Sequence, residues 1–526
     1  MATFIEPAGL DPLVASGSGV VGGIEMSAVY DTIVRWDATT KAYEMRTAES
    51  LTPNADASVW TLKLRPNIKF SDGTNYDATA VKFGLDRSRS GLTGAPACEE
   101  IRACPRNTSA AAGPMANVTA IDVVDPLTLK ITLNGPWPGF PAMLAAEPGM
   151  IPSPTAMRAV CPADKSKTPA DCSFNLTPVG AGPFVMDQFK PKESITMKKN
   201  PNYWGGSMLL DGLKFINFGD AGSTKSYDAL QAGTVQIAFL RDAEVVAKAK
   251  DAKLPGAAFI QNAGNIVLMN NGVSVRCAGG QPAPTCTGRA DGPYVPPVPT
   301  MDLKVRQAVA SAIDPKQIDV RAYGGKGVPG SELFQSTFNN SPGVPGPKYD
   351  VEAAKKFVAD AKAAGWDGKL QYETDKAPAN GETALAIQAM LGSVGISVEV
   401  KQVDSGVLAT DKRNGNYQLA SHGFNITDDD MGAARNITAN LVSTSSTNRL
   451  GYKSPDMDAA LDQLKAARTG DEKKAAYKRV ADAYVRDAPF LVLAAVEERP
   501  TWNASVQGVV TNLESMLLFD KAWLKK

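Results

Sequence analysis

Groups capable of chemistry are concentrated in one polar run and six cysteines of this 526-residue chain. The run at 421–436 is SHGFNITDDDMGAARN, and it holds the single histidine of the chain, His422, three consecutive aspartates that begin at Asp428, and Arg435. Such side chains donate hydrogen bonds to a small molecule or pair with its charges. The same residue types are also typical of a solvated acidic turn, and that alternative stays open.

Motifs of the common enzyme classes are absent from the sequence. The chain contains no GxSxG, no phosphate-binding P-loop and no HExxH. Because His422 is alone, sites built from several histidines are excluded, and its neighbours Ser421 and Gly423 cannot complete a triad by adjacency. Paired carboxylates occur throughout, so composition alone leaves a glycosidase open. We predict a binding protein with no catalytic residue, no metal and no cofactor. Turnover assays on peptides and sugars would distinguish such a protein from a hydrolase.

A glycine-rich run near the start has the spacing of a dinucleotide site. Gly17, Gly19 and Gly22 match GxGxxG, with Ser18 between the first two. A dinucleotide site requires a preceding strand inside a βαβ unit. Here the run follows an Asp-Pro turn and no such unit surrounds it, so we interpret it as a flexible loop.

The cysteines form three groups that are local in sequence, each in a loop rich in Pro, Gly and Ala. Sequence alone allows several connectivities. Zinc is the competing interpretation, but the chain has no CxxC and one histidine. We therefore predict disulfides, which indicate an oxidising, exported setting. The predicted bonds are Cys98–Cys104, Cys161–Cys172 and Cys277–Cys286.

Length and charge narrow the class of protein further. A chain of 526 residues exceeds one hydrophobic core, so two or three domains are expected. Lys+Arg and Asp+Glu both number 55, which argues against nucleic acid or an anionic membrane surface as the main partner. No apolar run approaches the about 18 residues of a membrane span. No signal peptide is visible, and we expect the printed chain to correspond to the mature part of an exported protein.

The elements that position these groups alternate between strand and helix. Trp60, Leu62 and Leu64 alternate with polar residues, which predicts a half-buried strand, and Asp77 is placed to cap a helix beginning near Ala78. Helix followed by strand recurs toward the C-terminus, and this indicates an α/β architecture. Further predicted strands are 4–5, 127–133, 235–240, 266–270, 396–400 and 490–493, and further helices are 302–314 (stopped by Pro315), 350–365, 387–394 and two within 455–486.

The order of residue types around the first strand and helix resembles the signature of the extracellular solute-binding proteins of family 5. That signature is a strand ending in Leu-Arg, then Val/Ile-Lys-Phe, Asp-Gly-Thr, and a helix with Phe and Arg. It is matched by Leu64-Arg65, Ile68-Lys69-Phe70, Asp72-Gly73-Thr74, Phe83 and Arg87. Later matches are the Leu10-Asp11-Pro12 turn, Gly180–Phe184, Asn200–Trp204, Val305–Ala308 with Ala312–Asp314, and 455–493. The resemblance covers nearly the whole chain, apart from the three insertions that contain cysteines.

The resemblance implies an α/β, two-lobed fold of the periplasmic-binding-protein type II class, with an extra small domain and a ligand cleft between the lobes. Lobe I would comprise residues 1–30, 178–265 and 497–526, the extra domain residues 31–177, and lobe II residues 266–496. Gly17, Ser18 and Gly19 would form a loop at the cleft. Asn270 would end a strand near the crossing between the lobes.

The resemblance also implies roles within the 421–436 run. In peptide-binding relatives a Gly-Trp pair is followed by an aspartate that holds the ligand amine; here Gly423-Phe424 stands for that pair. A gapless alignment puts Thr427 at the aspartate position, so either the register slips by one to Asp428 or the ligand is not a usual peptide. Phe424 would supply an apolar wall. His422 and Asn425 would hydrogen bond to the ligand, and Arg435 would meet a ligand carboxylate.

The implied function is solute capture for an ABC importer, with closure of the lobes and delivery to membrane permease subunits. The expected solute is a short peptide; a metal chelate, haem or oligosaccharide on the same fold is the alternative, and a secreted hydrolase or an adhesion module a remoter one. The protein would act as a monomer outside the cytoplasm, in the periplasm or at the cell surface. Its contact with the membrane would be a lipid anchor outside the printed sequence, and it would not bind nucleic acid.

Overall fold

The computed structural model describes residues 1–3, 5–15, 19–37, 40–90, 112–161, 169–219, 223–424, 426–427, 430–445 and 447–525. They form two compact units. Unit 1 comprises residues 1–259, 429–435 and 498–526, and unit 2 comprises residues 260–428 and 436–497. The predicted separation of residues 31–177 from lobe I stays a prediction, because unit 1 includes both.

Helices and strands alternate along both units. The α-helices are α1 Gly23–Tyr30, α2 Ala78–Ser90, α3 Ala112–Met115, α4 Pro141–Leu144, α5 Pro154–Val160, α6 Thr224–Gln231, α7 Ala243–Asp251, α8 Leu303–Ala312, α9 Pro315–Tyr323, α10 Val351–Ala363, α11 Pro378–Ser393, α12 Ser405–Arg413, α13 Asp430–Gly432, α14 Ala439–Leu441, α15 Pro455–Ala466 and α16 Gly470–Asp487. A π-helix, Ala433–Thr438, joins α13 to α14, and 3-10 helices lie at Gly19–Val21, Glu147–Gly149, Pro169–Asp171, Ser173–Asn175 and Pro299–Met301. The strands are β1 Ala2–Thr3, β2 Val34–Asp37, β3 Ala42–Met45, β4 Ala48–Pro53, β5 Val59–Leu64, β6 Val118–Asp125, β7 Thr128–Leu133, β8 Phe184–Lys190, β9 Ser194–Lys199, β10 Gly212–Asn217, β11 Ile237–Leu240, β12 Phe259–Met269, β13 Val275–Cys277, β14 Gly292–Tyr294, β15 Val328–Pro329, β16 Lys369–Asp375, β17 Ser397–Val403, β18 Leu419–His422, β19 Phe490–Trp502, β20 Val506–Gln507, β21 Val510–Thr511, β22 Leu517–Leu518 and β23 Trp523–Leu524.

The main sheet of unit 1 has the order β19–β11–β1–β10–β9–β8, with the C-terminal part of β19 at its edge. Strand β1 is parallel to both neighbours, and Ala2 lies opposite Ile216 on one side and Ala238 on the other. The predicted strand at 4–5 is therefore wrong in position. Ala2 and Thr3 form the strand and are buried between its parallel neighbours, whereas Ile5 lies in a bend. Phe4 is outside the described residues.

A second, antiparallel sheet of unit 1 has the order β4–β5–β7–β6. Trp60, Leu62 and Leu64 are buried while Thr61 and Lys63 are exposed, so the predicted alternation is confirmed. Helix α2 packs against β6 and β7, and the Asp77 carboxylate accepts a hydrogen bond from the Ala80 amide at 3.0 Å. This bond satisfies one of the free amides at the start of the helix, as predicted.

Buried ion pairs in unit 1 explain several of the signature residues. The Arg87 guanidinium in α2 pairs with the Asp11 carboxylate of the Leu-Asp-Pro turn at 2.8 Å, and both residues are 1% exposed. Arg46 pairs with Asp31 at 3.0 Å, and the Tyr203 hydroxyl donates to the same Asp31 carboxylate at 2.7 Å. One buried ion pair therefore holds the Leu-Asp-Pro turn to α2, and a separate buried group holds the Asn-Pro-x-Tyr-Trp segment to Asp31 and Arg46.

The sheet of unit 2 has the order β17–β16–β18–β12–β19, and β15 pairs with β19. Strand β16 is parallel to both β17 and β18, whereas β12 is antiparallel to β18. The helices α8 to α11 pack around a core that includes Val267, Tyr372, Leu419 and Leu491. Unit 2 is therefore a helix-covered sheet, which agrees with the predicted α/β architecture.

Helix starts in unit 2 follow the predicted caps, with one difference. The carboxylate of Asp302 accepts from the Lys304 amide at 2.7 Å, and that of Asp350 accepts from the Ala353 amide at 3.0 Å. Helix α8 ends at Ala312, before Pro315 as predicted, and Pro315 is in addition the first residue of α9, which Asp314 caps. Proline fits this position because the first helical amide needs no partner and the ring presets the helical φ.

Two predicted disulfides are present in the described residues. Cys161 bonds to Cys172 in unit 1, and Cys277 bonds to Cys286 in the insertion of unit 2 that contains β13 and β14. The predicted bond between Cys98 and Cys104 lies outside the described residues. The local pairing is therefore confirmed for two of the insertions.

Candidate functional site

The candidate site lies where the strands of the unit 2 sheet end. Because β16 is parallel to β17 and β18, the carboxyl ends of these strands, at Asp375, Val403 and His422, share one edge. Ligands of open α/β sheets bind outside the carboxyl ends of the strands. The chain that follows β18 is the polar run predicted to contact a ligand.

The start of that run is held closely against β12. A Cβ at Gly423 would lie 2.2 Å from the Gly264 carbonyl oxygen, so only glycine fits there. The Phe424 amide donates to the Ala263 carbonyl at 2.8 Å, and the Asn262 amide donates to the Ile426 carbonyl at 3.0 Å. The backbone at Phe424 and Ile426 is therefore held by hydrogen bonds to β12, and the Ile426 amide also donates to the Phe424 carbonyl at 3.0 Å.

The Phe424 ring is packed inside the protein, with 2% of the residue exposed. It contacts His422 at 5.4 Å and Phe490 at 5.0 Å between ring centroids, edge to face in both cases. In these contacts the ring orients His422 and anchors the run to β19. Its role as an apolar wall for a ligand stays a prediction.

Thr427 is 5% exposed, and its hydroxyl oxygen has no hydrogen-bond partner among the described residues. An unpaired buried hydroxyl costs on the order of 1–3 kcal/mol, and buried polar atoms without partners are uncommon in native proteins. A ligand atom bound at this point would satisfy the hydroxyl. The structure thus singles out Thr427, the residue at the expected aspartate position, although it supplies no charge there.

Lys412, on α12, reaches the end of β18. Its ammonium donates to the Ser421 carbonyl at 3.1 Å and lies 3.3 Å from Nδ1 of His422. Burial, followed by the charge of Arg449, lowers the pKa of Lys412 to about 8. Burial and the charges of Lys412 and Arg449 hold the pKa of His422 well below its usual range, so the imidazole is neutral and Nδ1 accepts. The Ser421 hydroxyl meets that of Thr374 at 3.0 Å beside this pair.

A second charged group in the same strands is internally paired. Lys401 lies 3.0 Å from the Glu373 carboxylate and 3.6 Å from that of Asp411. Glu373 is fully buried, and burial raises the pKa of its carboxyl. Lys401 therefore neutralises this group at the sheet edge, although the second carboxylate oxygen of Glu373 has no hydrogen-bond partner among the described residues.

Asn270 does not have the predicted ligand-binding role. Its amide group donates to the carbonyls of Gly415 and Tyr417 at 3.2 and 2.9 Å, and its oxygen accepts from the amides of Gly272 and Val273, both at 2.9 Å. The side chain is fully buried and its hydrogen-bonding capacity is used. We therefore correct its assignment: Asn270 joins two turns of unit 2.

The remaining predicted ligand residues have varied positions. Gly19 is buried in unit 1, where its amide donates to the Glu514 carbonyl at 2.8 Å and a Cβ would lie 2.2 Å from the Ser515 carbonyl oxygen. Arg435 belongs to the π-helix. Their roles toward a ligand stay predictions, as do those of Gly17, Ser18, Asn425 and Asp428, which lie outside the described residues.

Sequence analysis missed Lys412 and Arg449. A signal for the first exists, because Leu408, Asp411 and Lys412 have the i, i+3, i+4 spacing of one helix face and all three are buried. No local pattern marks Arg449, whose carbonyl accepts from the Tyr417 hydroxyl at 2.6 Å.

Within the described part of the chain, no group of three or more His, Cys, Asp or Glu is arranged to hold a metal ion. In the same residues no helix is both long and apolar enough to span a membrane.

Comparisons with known proteins agree on one family. The family model of bacterial extracellular solute-binding proteins, family 5 Middle, matches residues 42–445. The glutathione-binding protein GsiB of Escherichia coli (strain K12) is 24% identical over 459 residues, which cover 85% of this chain and 79% of that protein. GsiB of Salmonella paratyphi A is 23% identical over 491 residues, which cover 91% and 85%.

Solved structures show the same fold across the full length. The Helicobacter pylori periplasmic binding protein DppA in complex with the peptide STSA has a TM-score of 0.75 at 21% identity, covering 100% of this chain and 97% of that one. Haemophilus influenzae OppA in complex with RPPGFSPFR has a TM-score of 0.77 at 16% identity, covering 100% and 98%. The predicted α/β fold of two-lobed periplasmic binding proteins is thereby confirmed. Since the family model spans more than half of its length, the chain belongs to the bacterial extracellular solute-binding proteins of family 5.

Proposed function

We propose that the protein captures a short peptide or peptide-like solute and delivers it to the permease of an ABC importer. The observation that carries this proposal is the family match over residues 42–445. Two kinds of relative support a peptidic solute: the glutathione-binding proteins, whose ligand is a tripeptide, and the structures with bound peptides.

In this proposal the solute lies between two lobes, which close over it. The 421–436 run contacts the solute, with Asp428 or the unpaired Thr427 hydroxyl near its amine. The Gly17–Gly19 loop and Arg435 also contact the solute in this proposal. Hinge closure around ligands is the established motion of periplasmic binding proteins. The protein carries out no reaction; it works outside the cytoplasm as a lipid-anchored monomer that docks on the permease.

A thermal-shift screen followed by ligand recovery tests the proposal. The panel holds trialanine, a tetrapeptide, glutathione, a nickel–histidine complex and maltotriose. A true ligand at 100 times its dissociation constant should stabilise the protein by about 2.7 kcal/mol. We expect a peptide or glutathione to raise the melting temperature and to be recovered unchanged. Recovery of a cleaved ligand contradicts the absence of an enzymatic activity, and stabilisation only by the nickel complex or the sugar contradicts the peptidic solute.

A further inference from the structure

A cavity of about 400 Å³ lies in unit 1 beside the strands β1, β10 and β11. Its lining includes Met1, which precedes β1, Gly212 at the start of β10, and Val235 and Gln236, which precede β11. Because β1 is parallel to β10 and β11, these residues mark the amino ends of the three strands. Ligands of open α/β sheets bind outside the opposite, carboxyl ends of the strands. The cavity is therefore separate from the edge where such sheets bind their ligands.

The walls of the cavity are mostly apolar, and they are fixed by the fold. Phe215 and Phe519 both line it, are each 2% exposed, and contact each other at 6.4 Å between ring centroids. Strand β23 forms another wall and pairs with β20, so that Leu524 lies opposite Val506. Because these walls belong to the core and to a paired strand, the cavity is a permanent part of unit 1, as small-molecule sites usually are.

Two large apolar residues remain exposed although they line the cavity. Trp523 is 40% exposed and Leu524 is 49% exposed, and they are adjacent in β23. Contiguous exposed apolar surface beside a concave site is typical of a ligand-binding position. An apolar ligand in the cavity would cover part of both side chains and remove that surface from water.

Lys214 is the one charged side chain among the described residues that line the cavity. It is exposed, and in the described part of the chain no carboxylate lies within ion-pair distance of its ammonium. Asp211, close to it in sequence, pairs with Lys199 at 2.7 Å. The Met1 amino group donates to the Lys214 carbonyl at 2.6 Å, and Glu25, whose charge acts on that amino group, does not line the cavity. The lining therefore favours a ligand whose polar end is an anion.

The volume of the cavity limits the size of that ligand. A cavity of about 150 Å³ holds benzene, so a cavity of about 400 Å³ holds about 16 non-hydrogen atoms. One aliphatic chain of medium length fits within this limit. The two long chains of a membrane lipid do not.

We propose that this cavity binds a single-chain aliphatic carboxylate. The chain lies against Phe215, Phe519 and Trp523, and the carboxylate lies near the Lys214 ammonium. This site is additional to solute capture, and it does not depend on whether the transported solute is a peptide.

Calorimetry with decanoate tests the site, because decanoate fits within the size limit. We expect saturable binding of one decanoate per chain. Octanoate, which is two methylenes shorter, should bind about tenfold more weakly, and acetate should not bind. Absence of saturable decanoate binding, or equal affinities for decanoate and octanoate, overturns the proposal.

Variants of the lining distinguish this cavity from other apolar surface. Trp523→Ala removes part of the wall and should weaken decanoate binding by about tenfold or more. Tyr349→Ala truncates a similarly exposed aromatic residue of unit 2 and should leave the affinity unchanged. Lys214→Gln should weaken decanoate binding by about two- to fivefold and leave binding of the uncharged decanol unchanged. Lys248→Gln, which removes an exposed lysine outside the lining, should affect neither. Equal effects of Trp523→Ala and Tyr349→Ala overturn the site.

Tryptophan fluorescence locates the bound chain. Decanoate brominated along its chain quenches a tryptophan that it contacts, so it should quench the wild type saturably. Trp523→Phe keeps an aromatic wall, and we expect it to retain binding by calorimetry and to lose most of the quenching. Quenching that persists in Trp523→Phe places the chain elsewhere and overturns the site.

A competition experiment separates this cavity from the site of the transported solute. A peptide that stabilises the protein in the thermal-shift screen should bind together with decanoate. Competition between them places decanoate in the solute site and overturns the cavity. If no peptide stabilises the protein, the peptidic solute fails, and calorimetry with decanoate still decides the cavity.

Discussion

At the residue scale, the pair formed by Asp11 and Arg87 shows how a signature residue acts through stability. Both side chains are buried, so removal of one charge leaves the other without a partner in the core. Arg87→Met should lower the free energy of unfolding by about 3–5 kcal/mol. Chemical unfolding monitored by tryptophan fluorescence measures the loss. Lys63→Met, which breaks the exposed pair with Glu49, is the matched control and should cost less than about 1 kcal/mol. A loss in Arg87→Met no larger than in the control would contradict a structural role for the pair.

Lys412, in contrast, should lower the free energy of unfolding, because burial of its charged form opposes folding. The pKa of about 8 in the folded protein lies below the usual lysine value of 10.5, so the unfolded chain binds more protons between these pH values. Stability contributed by this residue therefore rises with pH across that window, by up to about 1.4 kcal/mol per pH unit. Lys412→Met should remove this slope and be more stable than the wild type at pH 7. Unfolding curves from pH 7 to 10.5, with the exposed Lys356→Met as control, measure the difference; parallel curves for all three proteins would count against it.

A substitution at Asp428 tests whether its carboxylate holds the amine of the ligand. Loss of one partner of a buried amine–carboxylate pair costs about 3–5 kcal/mol, which is a few hundredfold or more in affinity. Asp428→Asn should show this loss by calorimetry with a peptide found in the screen, and Asp429→Asn serves as the control for register. If Asp429→Asn causes the loss of affinity instead, the alignment with the peptide-binding relatives shifts by one more residue. Unchanged affinity in both means that the amine is held elsewhere.

At the scale of single elements, the local sequence predicts most of the helices and strands but few of the contacts that they make with distant parts of the chain. The alternation at 60–64 and the caps at Asp77, Asp302 and Asp350 are set by nearest neighbours, and the structure confirms them. Asn270 was misassigned because its four hydrogen bonds go to a distant turn and to the turn that follows it. Lys412 was missed for the same reason, because its burial and its contact with His422 depend on the strands packed around the lysine. Local patterns alone predict an α/β architecture, and only the family resemblance predicted the two-lobed fold of periplasmic binding proteins.

The insertion with β13 and β14 is an element closed by its own disulfide. The Cys277–Cys286 bond closes a short loop, so it should stabilise by at most about 2–3 kcal/mol, mainly through the unfolded chain. Replacing both cysteines by serine should speed proteolysis within residues 278–293 and leave ligand affinity unchanged. Limited proteolysis with mass spectrometry locates the cuts, and the Cys161–Cys172 pair, replaced in the same way, is the parallel case in unit 1. Loss of ligand binding in the first variant would show that this insertion contributes to the site.

At the scale of the whole molecule, the 421–436 run, which we propose to contact the solute, contains residues of both units. Residues 421–428 group with unit 2, while residues 429–435 group with unit 1. Asp430 lies beside Gly139, where a Cβ would come within 3.0 Å of the Asp430 Cβ, so this part of the run is packed against unit 1 itself.

We expect closure on binding. Small-angle scattering should give a smaller radius of gyration with the peptide than without it, because hinge closure brings two lobes together around a ligand. Amide hydrogen exchange should slow across residues 421–436 in the same samples, since an enclosed backbone opens less often. Asp428→Asn, at a peptide concentration that saturates the wild type but not the variant, is the control and should retain the larger radius. A radius that does not change at saturation, together with slower exchange in the run, would mean that the solute binds to one unit and that the permease recognises something other than closure.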